Sequence, residues 1–156
     1  MVTPCPLVEV SGSPRERGRQ YGEQARARTQ LSVSHYSEQL AMSGLAPGDV
    51  RTFVARFEPT IAQFEPAYIE EMRGVAEGAS VEYDSVVLLN ARTEILKLAQ
   101  RRQRGEAEPD GCTGLVALPV ATREGRLIHA QNWDWKAECA ETAVVLKIRR
   151  SDGPDI

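Results

Sequence analysis

EPDGCTGLVALPVATREGRLIHAQNWDWK, Glu108 to Lys136, is the stretch that decides how the chain is read. Cys112 follows an Asp-Gly pair and opens an alternating run, CTGLVALPV, with Thr113, Leu115 and Ala117 on one side and Val116 and Leu118 on the other. A period of two is the mark of a strand. TREGR, with Gly125 at its tip, reads as a hairpin turn. LIHAQNWDW is the return strand. Two antiparallel runs of about nine residues put their far ends side by side, so Asp134 is expected back near Cys112. Trp133 and Trp135 lie two apart and share one face, opposite Asn132 and Asp134.

Upstream of this hairpin the period is helical. LVEV, Leu7 to Val10, is a short strand closed by the turn cluster SGSP. A polar helix is expected from about Pro14 to about Ser43, with Gly18 and Gly22 spaced for close approach to another backbone. Val50, Phe53, Val54, Phe57 and Ile61 form a helical stripe from about Pro47 or Asp49 towards Phe64, in a region that Pro59 and Pro66 are expected to divide. AYIEEMRGVAEGASV is a further helix that Gly78 should stop, with Ile69, Met72, Val75 and Ala76 inward. The last helix, about Tyr83 to Arg102, shows one broad apolar side of Val87, Leu88, Ala91, Ile95 and Leu98. RRQRGEAEPDG, Arg101 to Gly111, is charged and aperiodic, and reads as an exposed loop. ETAVVLKIRR, Glu141 to Arg150, is a third strand of the later part.

These elements predict an α+β fold: a helical α part over residues 1–111, then antiparallel strands over 112–156. The closing SDGPDI reads as a turn into another strand, so further polypeptide is expected to complete the sheet. The 156 residues fit one ordinary domain, with 42% hydrophobic and 26% charged residues. A formal charge of −3 gives no electrostatic case for nucleic acid or an anionic membrane. No run of about 18 apolar residues is present for a membrane span, and no secretory leader is recognisable, so a cytoplasmic location with reduced thiols is expected. The three cysteines, Cys5, Cys112 and Cys139, imply no disulfide framework. Cys112, His129 and Cys139 lack the paired spacing of zinc ligands, and neither a metal nor a cofactor is expected.

A strand that starts on a cysteine has two explanations. One is a small buried hydrophobe after a turn. The other is a nucleophile exposed by chain cleavage. If the Gly111–Cys112 bond is cut, Cys112 carries a thiol and a free α-amine. The amine titrates near about 7.7–8.0 and the thiol near about 8.5, so the amine can take the thiol proton near neutral pH. No histidine base is then needed, and the chain has only His35 and His129. The same thiol could attack the Gly111 carbonyl, where glycine leaves the approach open.

DGCTGLVAL followed by GRLIHAQNWDW resembles the penicillin acyltransferase family, the acyl-coenzyme A:6-aminopenicillanic acid (isopenicillin N) acyltransferases, within the N-terminal nucleophile (Ntn) hydrolases. Bile salt hydrolases share the CTGL-type start. SGSPRERGRQYGEQ resembles the family's N-terminal motif, and LLNARTEI, Leu88 to Ile95, its helical motif before the cleavage site. The resemblance implies a layered αββα sandwich of which this chain holds the N-terminal part. It implies autocatalytic cleavage between Gly111 and Cys112 and acyl transfer through a thioester on Cys112. By position, Asp134 matches the aspartate near the nucleophile's amine, while Asn132 and Trp133 match the same motif as positioning or pocket residues. The family's oxyanion-hole asparagine matches no residue here. Loss of one such donor typically costs about 100- to 1000-fold in rate, so this length alone is not expected to complete the chemistry.

The expected substrate is a small acylated amine, peptide or thioester, hydrolysed as by an amidase or transferred to an amine. A homo-oligomer or the later part of a longer chain are the expected partners. The competing expectation is a non-catalytic or truncated Ntn-like domain that only packs or binds. Arg92, Glu94, Cys5, Cys139, His35 and His129 are read as structural or solvated groups.

Overall fold

A computed structural model describes residues 5–104, 112–132 and 137–150; the side chains of residues 47 and 99–104 are outside that description. The element order is β1 (Leu7–Ser11), α1 (Pro14–Gln24), α2 (Arg26–Met42), α3 (Pro47–Phe64), α4 (Pro66–Ala79), α5 (Tyr83–Arg104), β2 (Thr113–Ala117), β3 (Ile128–Asn132) and β4 (Val145–Arg149). Short 3₁₀ turns occupy Pro119–Ala121 and Ala137–Glu141. The fold is α+β, dominated by helix, as the change of period predicts.

The N-terminal motif does local structural work. Ser13 caps α1: its backbone N–H and its hydroxyl both donate to Glu16 Oε2, at 2.8 and 2.6 Å. Those bonds hold the Glu16 carboxyl below its ordinary range. The helix expected to run unbroken to Ser43 breaks at Ala25, which has φ −103° and ψ 19°. No glycine or proline marks the break. Ala25 is buried there in a cluster with Val8 and Val10 of β1, so tertiary packing sets the bend.

Glycines set the contact between α1 and α4. Gly18 and Gly22 of α1 face Gly74 and Gly78 of α4, and a Cβ at any of the four would lie within 2.5 Å of a backbone oxygen across the interface. The four-residue spacing thus brings two backbones together, as expected. Gly78 does not stop α4; it is needed inside the helix where α1 crosses. The stop comes two residues later at Ser80, in the left-handed conformation with φ 55°.

Pro59 does not divide α3, which runs through it to Phe64. A proline inside a helix costs roughly 3 kcal/mol. Here the ring is exposed, while Phe53 and Val54 before it and Phe57 and Ile61 around it pack on the core. Burial on both sides outweighs the missing hydrogen bond. Pro66 does begin a new helix, α4, after Glu65, whose side chain accepts from the Ala67 N–H at 3.0 Å. The main core joins α2 to α5 through Tyr36, Leu40, Phe53, Met72, Val87 and Ile95. Leu98, expected on the apolar side, is 38% exposed, and residues 101–104 continue α5 where a loop is expected.

The strands form two separate two-stranded sheets among the described residues. β2 and β3 are antiparallel, from Thr113 opposite Asn132 to Ala117 opposite Ile128. The ladder ends at Ala117, shorter than the nine-residue expectation, since Pro119 has no N–H to give. Gly125 sits at φ 64° in the connection, as the turn reading requires, and Thr122 Oγ1 donates to the Arg126 carbonyl at 2.7 Å. β4 departs from expectation. It pairs parallel with β1, from Leu7 opposite Val145 to Ser11 opposite Arg149, instead of extending the hairpin as an antiparallel strand. The reason is burial: Ile148 joins Val8, Val10 and Ala25 in a second apolar cluster, and Lys147 donates to Glu9 Oε1 at 3.0 Å. This sheet ties the segment before Gly111 to the segment after it. No helix among the described residues is long and apolar enough to cross a membrane.

Candidate active site

Cys112 is a half-buried free thiol one residue before β2. Its neighbour Thr113 is directly opposite Asn132, the last residue of β3. The hairpin therefore does what the alternation predicts: it returns the chain to the cysteine, with Asn132 exposed at that end of the ladder. Gly111, Trp133 and Asp134 lie outside the described residues.

Other nucleophile partners are set apart. His129 is opposite Val116, four residues along the strand from Cys112, or about 13 Å at strand rise. That distance rules out a direct thiol–imidazole hydrogen bond. Cys139 lies on the 3₁₀ turn before β4, with its Sγ 3.7 Å from Tyr36 Oη against the helical core. The LLNARTEI segment is part of α5: Leu88, Ala91 and Ile95 are buried, and Asn90 Nδ2 donates to the Val86 carbonyl at 3.0 Å. Glu94 is exposed. Arg92 is not a solvated surface group; its guanidinium lies 5.3 Å from the Tyr36 ring centroid.

The hairpin carrying Cys112 is bare on both faces. Leu115 and Val116 are consecutive, so they point to opposite sides, yet they are 59% and 58% exposed. Ile128 of the partner strand is 52% exposed. The thiol is thus fixed in register but not enclosed by the described residues.

No family model matches the chain. A stretch of 157 residues, 96% of this chain and 39% of the relative, is 29% identical to the acyl-coenzyme A:6-aminopenicillanic-acid-acyltransferase 40 kDa form of Emericella nidulans. The chain is a distant relative of that acyltransferase. An uncharacterized protein of Archaeoglobus fulgidus is 26% identical over 160 residues, covering 90% of this chain and 26% of that protein. The chain spans about two fifths and about a quarter of the lengths of these two relatives. The alignment with the acyltransferase runs along nearly the whole chain, so both the helical body and the cysteine hairpin fall within it.

Proposed function

We propose that the chain carries the nucleophile-bearing part of a self-processing cysteine acyltransferase or amidohydrolase of the Ntn type. The observation that carries this is the distant relationship to a penicillin acyltransferase along a chain whose half-buried free thiol opens the first strand of a hairpin. In the first step the Cys112 thiolate adds to the Gly111 carbonyl. The Gly111–Cys112 amide breaks as the acyl group passes from nitrogen to sulfur, and the nitrogen takes a proton. Water then hydrolyses the ester, leaving Gly111 with a carboxylate and Cys112 with a free α-amine and thiol.

In turnover the α-amine takes the thiol proton. The thiolate attacks the carbonyl of a small amide, peptide or thioester, and the leaving group departs with that proton. An acceptor amine or water then attacks the Cys112 thioester, restoring the thiol. Asp134 is two residues beyond Asn132, a span of at most about 7 Å, and Asn132 ends the ladder beside Cys112. A carboxylate there would hold the α-ammonium in place and favour its charged form. Asn132 and Trp133 are assigned to positioning the substrate. The oxyanion donor, and the strands that cover the bare hairpin in an αββα sandwich, would come from polypeptide of the kind that makes the relatives longer. Cytoplasmic residence fits the use of a reduced thiol.

Intact-mass measurement on the chain, alone and extended to the length of its relatives, tests the reading. A break between Gly111 and Cys112 that Cys112→Ala abolishes is the expected result. An uncut extended form would leave a packing or binding domain. Release of a chromogenic acyl amide, with and without an added amine, then separates transfer from hydrolysis.

A further inference from the structure

A concavity of about 230 Å³ lies away from Cys112 between α2, α5 and the segment that runs from the Ala137–Glu141 turn into β4. Its polar wall holds Arg92, Tyr36, Cys139 and Thr142; its apolar wall holds Leu89 and Val144. Arg92 is the unusual member. Its guanidinium stacks over the Tyr36 ring at 5.3 Å, and its Nη1 donates to the Leu89 carbonyl at 2.6 Å. Its Nε is sealed from solvent and has no hydrogen-bond acceptor among the described residues. A guanidinium offers five N–H donors in a planar fork that matches a carboxylate. Other arginines among the described residues spend that fork on glutamates: Arg15 on Glu70 and Glu77, Arg19 on Glu23, Arg73 on Glu70. Arg92 spends its fork on one carbonyl and one ring while lining the cleft.

We propose that this pocket binds a small monocarboxylate with a short apolar tail, the carboxylate on Arg92 and the tail against Leu89 and Val144. The volume sets the size, being below the roughly 300–1,000 Å³ that accommodates drug-sized ligands. The apolar wall selects against inorganic anions, which have no tail to bury. The walls come from both sides of the Gly111–Cys112 bond, so an occupant would bridge the helical body and the segment leading to β4. The pocket does not use Cys112, so this inference and the proposed acyl transfer can fail separately.

Butanoate is the probe, and the Cys139 thiol is a built-in reporter. Butanoate is expected to shift the amide resonances of Leu89, Thr142 and Val144 saturably, with a dissociation constant on the order of 1 mM. Near saturation it should slow alkylation of Cys139 by iodoacetamide about fivefold, leaving the exposed Cys5 unaffected, as read by peptide mass. Butan-1-ol and inorganic phosphate should do neither. Arg92→Gln, with an unchanged circular dichroism spectrum, should weaken butanoate at least about tenfold. Protection of Cys139 by butan-1-ol equal to that by butanoate, tight binding of phosphate, or absence of saturation in the wild type would overturn the proposal without recourse to any variant. Unaltered butanoate binding by a folded Arg92→Gln protein would overturn it as well.

Discussion

Gly18→Ala should be among the most damaging single-methyl changes in this molecule. The added Cβ would lie 1.9 Å from the Glu71 carbonyl oxygen, 2.8 Å from its carbon and 2.9 Å from the Val75 nitrogen. An ordinary carbon–oxygen contact is about 3.3 Å or more, so α1 and α4 must part by more than an ångström. The obstacle is backbone, which cannot rotate aside as a side chain can. Parting the helices also loosens the contacts at Gly22, Gly74 and Gly78, which belong to the same interface. Against this, alanine gains up to about 1 kcal/mol of helix propensity. Overpacking of a tight site costs about 1–3 kcal/mol or more, and the rigid obstacle puts Gly18 at the upper end. The expected net loss is about 3 kcal/mol, or a fall in Tm of roughly 6–12 °C for a chain of this size. Urea and thermal unfolding followed by circular dichroism measure it. Gly48→Ala in α3 is the control: nothing lies within 4 Å of its Cβ position, so it should be neutral or stabilising by up to about 1 kcal/mol. Equal stability of the two variants would refute the close-packed reading of α1 on α4.

Further outcomes follow from the site and the ionisable groups. Asp134→Asn should leave a folded protein but slow acyl turnover of the processed, extended enzyme by at least about 100-fold, with the loss largest where the α-amine would be protonated; a rate within twofold of wild type removes Asp134 from the chemistry. If the chain is cut at Gly111, the two pieces should elute together in gel filtration, because β1 and β4 join them; Val10→Asp, placing a charge in the second apolar cluster, should separate them. Burial, with Glu58 accepting the hydroxyl proton at 3.0 Å, pushes Tyr83 up to about 12. The neutral phenol is then favoured in the folded state, so stability should be unaffected below about pH 10, where the unfolded phenol titrates, and fall between there and about pH 12. Tyr21 is also raised by burial, so an absorbance titration should compare wild type with Glu58→Gln, which should advance one late-ionising tyrosine.

The helices were legible because their cause is local. The stripe Phe53, Val54, Phe57 and Ile61 and the run Val87, Leu88, Ala91 and Ile95 state a period of 3.6 in the sequence itself, and both are in the core. The hairpin was legible for the same reason: alternation and a glycine turn mark two antiparallel strands, and the structure pairs them as β2 and β3. What escaped reading depends on residues far away in the chain. The break at Ala25 serves contact with β1, the tolerance of Pro59 rests on packing along both halves of α3, and the pairing of β4 with β1 leaves no local signature. Of the site, the sequence places Cys112 at a strand start and expects Asp134 near it; the structure sets Asn132 opposite Thr113, the neighbour of Cys112. Gly111, Trp133 and Asp134 fall outside the described residues, so their roles stand on the resemblance and on chain connectivity. The Arg92 pocket was invisible because three separate segments build it, and a lone arginine on a helix ordinarily faces water.

The parallel pairing of β1 with β4 also imposes an order on assembly. Glu9 and Lys147, which meet across it, are 138 positions apart in the chain. At roughly 5–20 residues per second of synthesis, β1 leaves the ribosome many seconds before its partner exists. Val8 and Val10, nearly fully buried at the end, must spend that interval without β4 over them. The helical core between them contains no residue of either strand, so its closure need not wait for them. β1, made long before β4, is thus completed late, and substitutions in β4 should speed unfolding while leaving the folding rate of the helical body nearly unchanged.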